Sequence, residues 1–192
     1  DLENFETNSI MLIQKLKVLA QMFTFVDSIP QAIKEIKAGV AHFSEMADYN
    51  LNISFNGREL VGDNPYDISD TTYGNGNPKN SIKEESHGTH VAGIVAAQRN
   101  NGLGSNGVAQ DVKIMAIRAV PNGDEYDKDV ALGIRYAVDN GAKIINASFG
   151  KSYSPNVAWV YEAIKYAAEK NVLIVHAAGN EGENLDKPSH PN

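Results

Sequence analysis

The sequence contains no cysteine. That absence excludes disulfide frameworks, thiolate metal sites, iron–sulfur clusters and a cysteine nucleophile. The chain also lacks any apolar run close to the roughly 20 residues that a membrane-spanning helix needs. Its first residues do not show a basic segment followed by an apolar stretch, so no signal peptide is visible. We therefore predict neither cysteine chemistry nor a membrane-spanning segment.

Positive charge is scarce as well. The chain carries 17 Lys and Arg against 24 Asp and Glu, a formal net charge of −7. This acidic balance argues against nucleic acid or an anionic membrane as the main partner, since both attract basic surfaces. A hydrophobic fraction of 42% with 21% charged residues is typical of a folded globular chain. The length of 192 residues corresponds to about one domain.

Residues 1–50 predict a helical hairpin. Apolar residues recur at helical spacing in two groups, separated by a break in which Asp27 or Ser28 can cap a helix and Pro30 suits its first turn. The first group is Ile10, Ile13, Leu16, Leu19, Ala20 and Phe23, and the second is Ile33, Ile36, Val40, Phe43 and Met46. We expect these apolar stripes to pack against each other and against the chain that follows.

Residues 51–86 are rich in Asn, Asp, Gly and Pro, a composition typical of surface loops. One short apolar segment at Leu60 and Val61 allows at most a short strand. A stretch of this length without regular structure is usually either functional or an insertion. We interpret it as a loop-rich connection.

Residues 87–192 alternate between predicted helices and predicted strands. The helices are expected at 87–98, 126–140 and 156–171, and the strands at 112–120, 143–149 and 172–178. Gly141 follows the second helix, where glycine is a common terminator. Nearly continuous apolar strands that alternate with helices are typical of a parallel sheet covered on both faces. The predicted fold class is therefore α/β, with helices on both faces of a parallel sheet.

Two glycine-rich segments imitate phosphate-binding loops. Residues 102–107 match the dinucleotide-binding fingerprint, but that site needs a strand before the glycines and a helix after them, and here the order is reversed. Gly150, Lys151 and Ser152 imitate the end of a P-loop, but Ile145 stands where the leading glycine is required. We therefore predict no nucleotide cofactor.

The segment His-Gly-Thr-His-Val-Ala-Gly at 87–93 is the most informative part of the chain. His87 and His90 could ligate a metal, but no Glu stands where the zinc protease motif needs its base, and no metal site is predicted. Small residues such as Gly88 and Gly93 would let this helix approach other elements closely. A histidine at the start of a helix, beside a loop, is well placed as a general base. On this segment alone, a purely structural histidine stays an open alternative.

Small and polar residues follow the last two predicted strands. The first of these strands ends in Asn-Ala-Ser-Phe-Gly at 146–150, and the second in Ala-Ala-Gly-Asn at 177–180. Ligands gather at the carboxyl ends of parallel strands, so both segments are expected to face one crevice. Asn180 can donate a side-chain N–H into it, although composition also leaves open a plain turn at 180–184.

Together these three segments resemble the subtilisin-like serine proteases, or subtilases, in the family's order and with similar separations. The resemblance covers residues 86–192, and the long stretch before His87 is similar to the insertions of some bacterial members. It implies a subtilisin-like α/β domain that is incomplete here. That partial domain, at 87–192, would follow a helical insertion at 1–50 and a loop-rich connection at 51–86.

The resemblance also implies roles for individual residues. His87 matches the catalytic histidine, the base that takes the proton of the nucleophile, and Asn180 matches the asparagine of the oxyanion hole. His90 matches a second histidine that is structural. The segment that pairs with an extended substrate is matched by Ser148, Phe149 and Gly150, and a wall of the specificity pocket by Ala177, Ala178 and Gly179.

The departures from the family concern the other two members of its triad, which runs Asp, His, Ser. The family's Asp-Ser-Gly or Asp-Thr-Gly and its Gly-Thr-Ser-Met-Ala do not occur in these residues. Asp27 is the nearest aspartate, but Ile29 replaces the glycine and the preceding pattern is helical, so we do not assign it to the triad. We expect the chain to be the middle of a longer protease and to be inactive alone.

A different class of function is the alternative: a non-catalytic peptide-binding or regulatory module that retains the groove. In both cases the expected partner is a peptide or protein. By resemblance, the parent protein is exported to the periplasm, the cell surface or the medium of a bacterium. Subtilases often bind calcium, and the loop at 99–106 is near where some members bind it, but its glycines leave few side-chain ligands. We assign no cofactor and leave calcium open. Because an incomplete fold exposes apolar surface, we also expect self-association.

Overall fold

The computed structural model describes residues 9–22, 24–80, 85–120, 122–182, 184 and 186. The chain divides into two compact units, residues 1–57 and residues 58–192, and each is described by itself. The helices are α1 (Ile10–Met22), α2 (Ile29–Glu45), α3 (His87–Ala96), α4 (Asp127–Asp139) and α5 (Val157–Glu169), and the strands are β1 (Ile144–Ala147) and β2 (Leu173–His176). No helix in the described ranges has the length and apolar character needed to cross a membrane.

The first unit contains the two predicted helices, and α2 continues into a π-helical turn, Met46–Asn50. Ser28 is the cap of α2, because its hydroxyl accepts the backbone N–H of Gln31 at 3.4 Å. Gln31 Oε1 in turn accepts the backbone N–H of Asp27 at 3.2 Å. These reciprocal bonds satisfy donors that a helix start leaves free, as the sequence predicts. Phe23 and the side chain of Leu19 lie outside the described residues.

The expected packing of the apolar stripes is wrong for α2. Val26 and Ala32 are buried, but the large apolar residues of the helix are exposed: Ile33, Ile36, Val40 and Phe43. A pair of helices buries an apolar face only where another layer covers it. Among the described residues of this unit, no such layer covers the stripe of α2.

The second unit begins with an irregular segment, as expected for a loop-rich connection. The segment at Leu60 and Val61 forms a 3₁₀ helix, Glu59–Val61, and not a short strand. Backbone N–H groups of Gly62 and Asp63 donate to the carbonyls of Glu59 and Arg58, at 3.2 and 3.0 Å. These local bonds turn the chain back on itself, so no strand partner is needed.

The core of the second unit lies between α4 and α5. Ala163 and Ala167 have no exposed surface and Ala131 only 1%, and such small side chains allow two helices to approach closely. The rest of the buried cluster consists of Ile134, Val138 and Val172. β1 and β2 pair in parallel, and Ile145 and Ile174 pack from the sheet against this cluster. The chain therefore folds as α/β with a parallel sheet, as the sequence predicts.

Two details of the predicted sheet are wrong within the described residues. Residues 112–120 form no strand, because the sheet contains only β1 and β2 and the segment has no ladder partner in it. It runs instead beside α4, where a Cβ built on Gly133 would lie 3.4 Å from Ile117. The expected second helical layer is also not seen, since Ile144, Leu173 and Val175 on the other face are exposed.

The helix α3 agrees with its predicted position but not with its predicted packing. It buries none of its residues. A Cβ on Gly88 or Gly93 would meet nothing within 4 Å, so the close approach expected at these glycines is absent from the described residues. Gly107 is the glycine that does require its lack of a side chain, since a Cβ there would lie 2.4 Å from the nitrogen of Ala97. The glycine-rich turn thus has a packing role at the end of α3.

Candidate active site

The strands β1 and β2 end side by side, so the segments that follow them lie at one edge of the sheet. Ala147 pairs with His176, and the backbone N–H of Ala177 donates to the carbonyl of Ala147 at 3.3 Å. A Cβ built on Gly150 would lie 3.8 Å from Nε2 of His176. The structure therefore brings residues 148–150 and 177–179, the two predicted substrate-binding segments, next to each other.

These two segments differ in burial. Ser148 and Phe149 are half-buried, whereas Gly150 and residues 177–180 are exposed. The amide Nδ2 of Asn146 donates to the Ser148 hydroxyl at 2.9 Å, so the first residue after β1 is held by its own strand. The edge is thus open to a ligand on the side of residues 177–180.

Asn180 follows a backbone turn that requires glycine. Gly179 has a φ of 87°, and a Cβ there would lie 2.9 Å from Oε2 of Glu181. The same carboxylate accepts the backbone N–H of Asn180 at 2.9 Å. Within the described ranges, the side-chain amide of Asn180 has no hydrogen-bond partner. It is therefore available as a donor at the edge where the strands end.

His87 is the first residue of α3, and its side chain is exposed. The part of the chain that the structure describes gives the imidazole no hydrogen bond or ion pair. Two residues earlier, the Glu85 carboxylate is held by Nη2 of Arg118 at 2.6 and 2.8 Å. His90 is exposed as well, so the described residues do not show the packing expected of a structural histidine.

The predicted site is therefore assembled in part. The strand ends bring the two predicted substrate-binding segments to one edge, and Asn180 follows the second of them in sequence. No hydrogen bond among the described residues joins His87 to that edge. The joint action of His87 and Asn180 stays a prediction. Asp27, the aspartate whose sequence is most similar to the family's Asp-Ser-Gly motif, lies in the first unit and donates its backbone N–H to Gln31.

A buried charged cluster, which the loop-like composition of residues 51–86 does not predict, anchors the irregular segment to α4. Arg58 donates from Nη1 and Nη2 to the two carboxylate oxygens of Asp129, at 2.7 and 2.8 Å. Asp63 bridges Arg58 and Lys128, and its side chain has no exposed surface. Tyr73 donates its hydroxyl to Asp129. The predicted surface loop thus contains charged residues that belong to the interior.

The protonation states of this cluster follow from its geometry. Burial by itself lowers the pKa of Arg58, but hydrogen bonds to Asp129 and Asp63 outweigh it and raise that pKa above its ordinary value. Burial, followed by the hydrogen bond to Asp129, raises the pKa of Tyr73. Arg58 is therefore charged and Tyr73 protonated at neutral pH. Asp63 and Lys128 lie 65 residues apart in sequence, and Arg58 and Asp129 lie 71 apart. No local sequence pattern could therefore have paired them.

The loop at 99–106 is held by hydrogen bonds of its own and by Arg99. Nη1 of Arg99 donates to the carbonyls of Gly107 and Val108, at 2.7 and 3.3 Å. Oδ1 of Asn106 accepts the backbone N–H of Asn100, and Oδ1 of Asn101 accepts that of Leu103. No group of three or more His, Cys, Asp or Glu that could hold a metal occurs among the described residues.

Comparison with known proteins gives one family. The sequence model described as "Subtilase family" matches residues 39–192. The cell wall-associated protease of Bacillus subtilis is 43% identical over 110 residues, which are 57% of this chain and 12% of that protein. Thermitase of Thermoactinomyces vulgaris is 38% identical over 69% of this chain and 44% of its own.

The matches extend over most of the chain but not over most of the relatives. The major intracellular serine protease of Bacillus subtilis is 31% identical over 86% of this chain and 55% of its own length. A solved structure, of the prenylagaramide maturation protease PagA, is 31% identical and covers 50% of this chain and 36% of that one, with a TM-score of 0.37. The chain thus spans from about an eighth to about half of the curated relatives named here.

Proposed function

The chain belongs to the subtilase family, and from that premise we propose that it is part of a subtilisin-like serine endopeptidase. The parent protein hydrolyses peptide bonds through an acyl-enzyme formed on a serine that lies outside these residues. The observation that supports this best is the adjacent placement of residues 148–150 and 177–180 at one edge of a parallel sheet. An extended peptide that adds to a sheet needs such an edge.

In this proposal two residues contribute to the chemical steps. His87 removes the proton of the serine hydroxyl and later transfers it to the leaving amine. The side-chain amide of Asn180 donates to the oxyanion of the tetrahedral intermediate. The exposed imidazole of His87 and the available amide of Asn180 support these roles.

The segments after the strands would bind the substrate. Ser148, Phe149 and Gly150 would pair with the extended peptide by strand addition, and Ala177, Ala178 and Gly179 would form a wall of the specificity pocket. Small side chains at 177–179 support this role because they leave room for a substrate side chain.

The parent activity can be tested on the longest open reading frame that encodes this chain. We expect hydrolysis of extended peptides, lost by about 10⁴-fold or more in His87→Ala. In subtilisin itself, removal of the oxyanion donor costs about 10²–10³ in turnover, and we expect the same of Asn180→Ala. His42→Gln, at an exposed histidine outside the predicted site, is the matched control and should retain most activity. Unchanged hydrolysis in His87→Ala would contradict the proposal.

The isolated chain should be inactive, because a base and an oxyanion donor without the nucleophile cannot form the covalent intermediate. Intact-mass analysis after incubation with a fluorophosphonate tests this. We expect no adduct. A single stoichiometric adduct that His87→Ala abolishes would show that a serine of this chain is activated.

A non-catalytic peptide-binding module is the second candidate. It is favoured by one observation: the strand ends form an edge, while the aspartate and serine motifs are missing from these residues. An open reading frame that lacks both motifs and a protein that binds peptides without cleaving them would support the module over the enzyme.

We also propose that the isolated chain associates with itself. Ile144, Leu173 and Val175 expose one face of the sheet, and exposed apolar patches promote association. Light scattering over a concentration series should show oligomers. A monomer that does not bind a hydrophobic dye would argue against this.

Export of the parent protein is a further part of the proposal. It is supported by the cell wall-associated protease and the minor extracellular protease among the relatives, while the major intracellular serine protease is the opposite case. Fractionation of cells that express the full open reading frame tests it. Recovery of the protein from the cytoplasm alone would contradict export.

A further inference from the structure

The segment after β1 has a second anchor immediately beyond the predicted substrate-binding residues. Lys151 follows Gly150 directly, and its side chain is only 14% exposed. Its Nζ donates to the carbonyl of Glu125 at 2.5 Å and lies 2.9 Å from Oδ1 of Asp127. A lysine in a loop would ordinarily extend into solvent, so its burial at this position needs a partner.

Asp127 holds the loop at three points. Besides Lys151, the carboxylate accepts the Ser154 hydroxyl and the backbone N–H of Asn156, each at 2.7 Å. Its side chain is 3% exposed, and it is the first residue of α4. A carboxylate at a helix N-terminus also interacts favourably with the helix dipole. One buried carboxylate thus fixes residues 151–156 to the start of α4.

The sheet itself does not hold residues 148–150 in this way. The last bond between the two strand ends runs from Ala177 to Ala147, and beyond it Ser148 is bound through its own strand neighbour Asn146. Among the described residues, the next polar contact along the chain is that of Lys151. Phe149 and Gly150 therefore lie between one anchor at the strand end and one at Asp127.

We infer that Lys151 and Asp127 are positioning residues, which hold the backbone of residues 148–150 in the extended path that a substrate strand pairs with. This inference rests on the proposed function. Neither side chain contacts the reacting atoms in this role. Lys151 sets where the segment leaves the sheet, and Asp127 sets where Lys151 can lie.

The first test uses the isolated chain and does not depend on activity. Lys151→Met removes the two contacts of the amino group but keeps an unbranched side chain. NMR order parameters of the backbone amides of Phe149 and Gly150 should fall from the rigid range of about 0.85 toward about 0.6, while those within α5 and β2 keep their values. Lys165→Met, which removes an exposed lysine, is the matched control and should change neither group. An equal fall at all amides, or none at 149 and 150, would overturn the inference and leave the proposed function standing.

The second test uses the protein encoded by the full open reading frame, with two peptide substrates of different length. The longer peptide extends far enough to pair with residues 148–150, and the shorter one ends before them. In Lys151→Met the kcat/KM for the longer peptide should fall by about tenfold or more, while that for the shorter one changes little. Lys151→Arg should recover part of the difference, since it keeps the charge and donors.

The outcomes of the second test are distinguishable. A loss of equal size for both peptides would reveal a merely structural role and overturn the inference. If the wild-type protein cleaves neither peptide, the proposed function fails and the positioning role fails with it. Selective loss for the longer peptide, with the control Lys165→Met unaffected, supports the inference.

Discussion

The helix α3 carries no Asp, Glu, Lys or Arg, whereas α4 and α5 each carry several, yet α3 is the less buried. Ala163 and Ala167 of α5 have no exposed surface, whereas α3 buries no residue and leaves Ile94 54% exposed. The pair α4–α5 lies under the sheet that carries the substrate-binding segments, and α3 carries the predicted base. The face of the sheet that packs against the buried cluster of α4 and α5 is therefore covered within this chain. The setting of His87 is not complete among the described residues.

The largest loss of unfolding free energy is expected when the charged cluster around Asp63 is broken, in the unit that contains α4 and α5. Asp63→Ala leaves Arg58 and Lys128 without their shared buried carboxylate. Breaking a buried ion pair in this way costs about 3–5 kcal/mol of unfolding free energy. Urea unfolding followed by far-UV circular dichroism measures the loss.

The matched control for this prediction is Glu85→Gln, which breaks the more exposed pair with Arg118 beside α3. Its expected cost is about 0–1 kcal/mol. Similar losses of unfolding free energy in Asp63→Ala and Glu85→Gln would contradict the prediction that the buried cluster stabilises the chain more than the exposed pair beside α3.

Overpacking of the α4–α5 interface should have the next largest effect. Ala163→Leu inserts a larger side chain where no surface is exposed, at an expected cost of about 1–3 kcal/mol. Ala168→Leu, five residues along the same helix and exposed, should be nearly neutral. Thermal melts of the two variants make the comparison. A loss in Ala168→Leu as large as in Ala163→Leu would show that the effect does not come from the interface, and no loss in either would show that the interface is loosely packed.

In α3 a substitution of the same kind should have the opposite sign. Gly93→Ala adds a methyl group that meets nothing within 4 Å and replaces a poor helix former. We expect the isolated chain to gain about 0.5–1 kcal/mol. If the missing part of the parent protein packs against this glycine, the same change will destabilise the longer protein. Melting temperatures of both forms decide this, and a loss of stability in the isolated chain would show that α3 is already packed.

The smallest effect concerns acid stability. Burial by itself raises the pKa of Asp127, but hydrogen bonds from Ser154, Lys151 and Asn156 outweigh it, so the pKa in the folded chain lies below 3.8. As the pH falls below the pKa that Asp127 has in the unfolded chain, its carboxylate is protonated in the unfolded chain before it is protonated in the folded one. The contribution of Asp127 is therefore present above that pH and is lost as the pH falls through the folded pKa.

Urea midpoints between about pH 5 and about pH 2.5 measure this contribution. Asp127→Asn should give a shallower dependence on pH than the wild type. Identical slopes for the two proteins would show that Asp127 does not contribute to acid stability.

The local patterns of the sequence predicted most of the elements correctly. Helical periodicity located α2, α4 and α5, and the capping signal at Ser28 is confirmed by its bond to Gln31. The strands at 143–149 and 172–178 were predicted because their apolar runs are bounded by polar residues. Residues 112–120 show the same pattern without becoming a strand, since a strand exists only where a neighbour supplies its hydrogen bonds.

What the sequence by itself determined is the family and the identity of the candidate groups. Through their resemblance to the family, the segments at 87–93, 146–150 and 177–180 predict the base, the substrate-binding backbone and the oxyanion donor. Only the tertiary structure decided which distant charges meet, as Arg58 meets Asp129 and Lys151 meets Asp127. The physical reason is that ion pairs and strand pairs form between residues that the fold brings together. Their separation along the chain does not indicate which of them will be in contact.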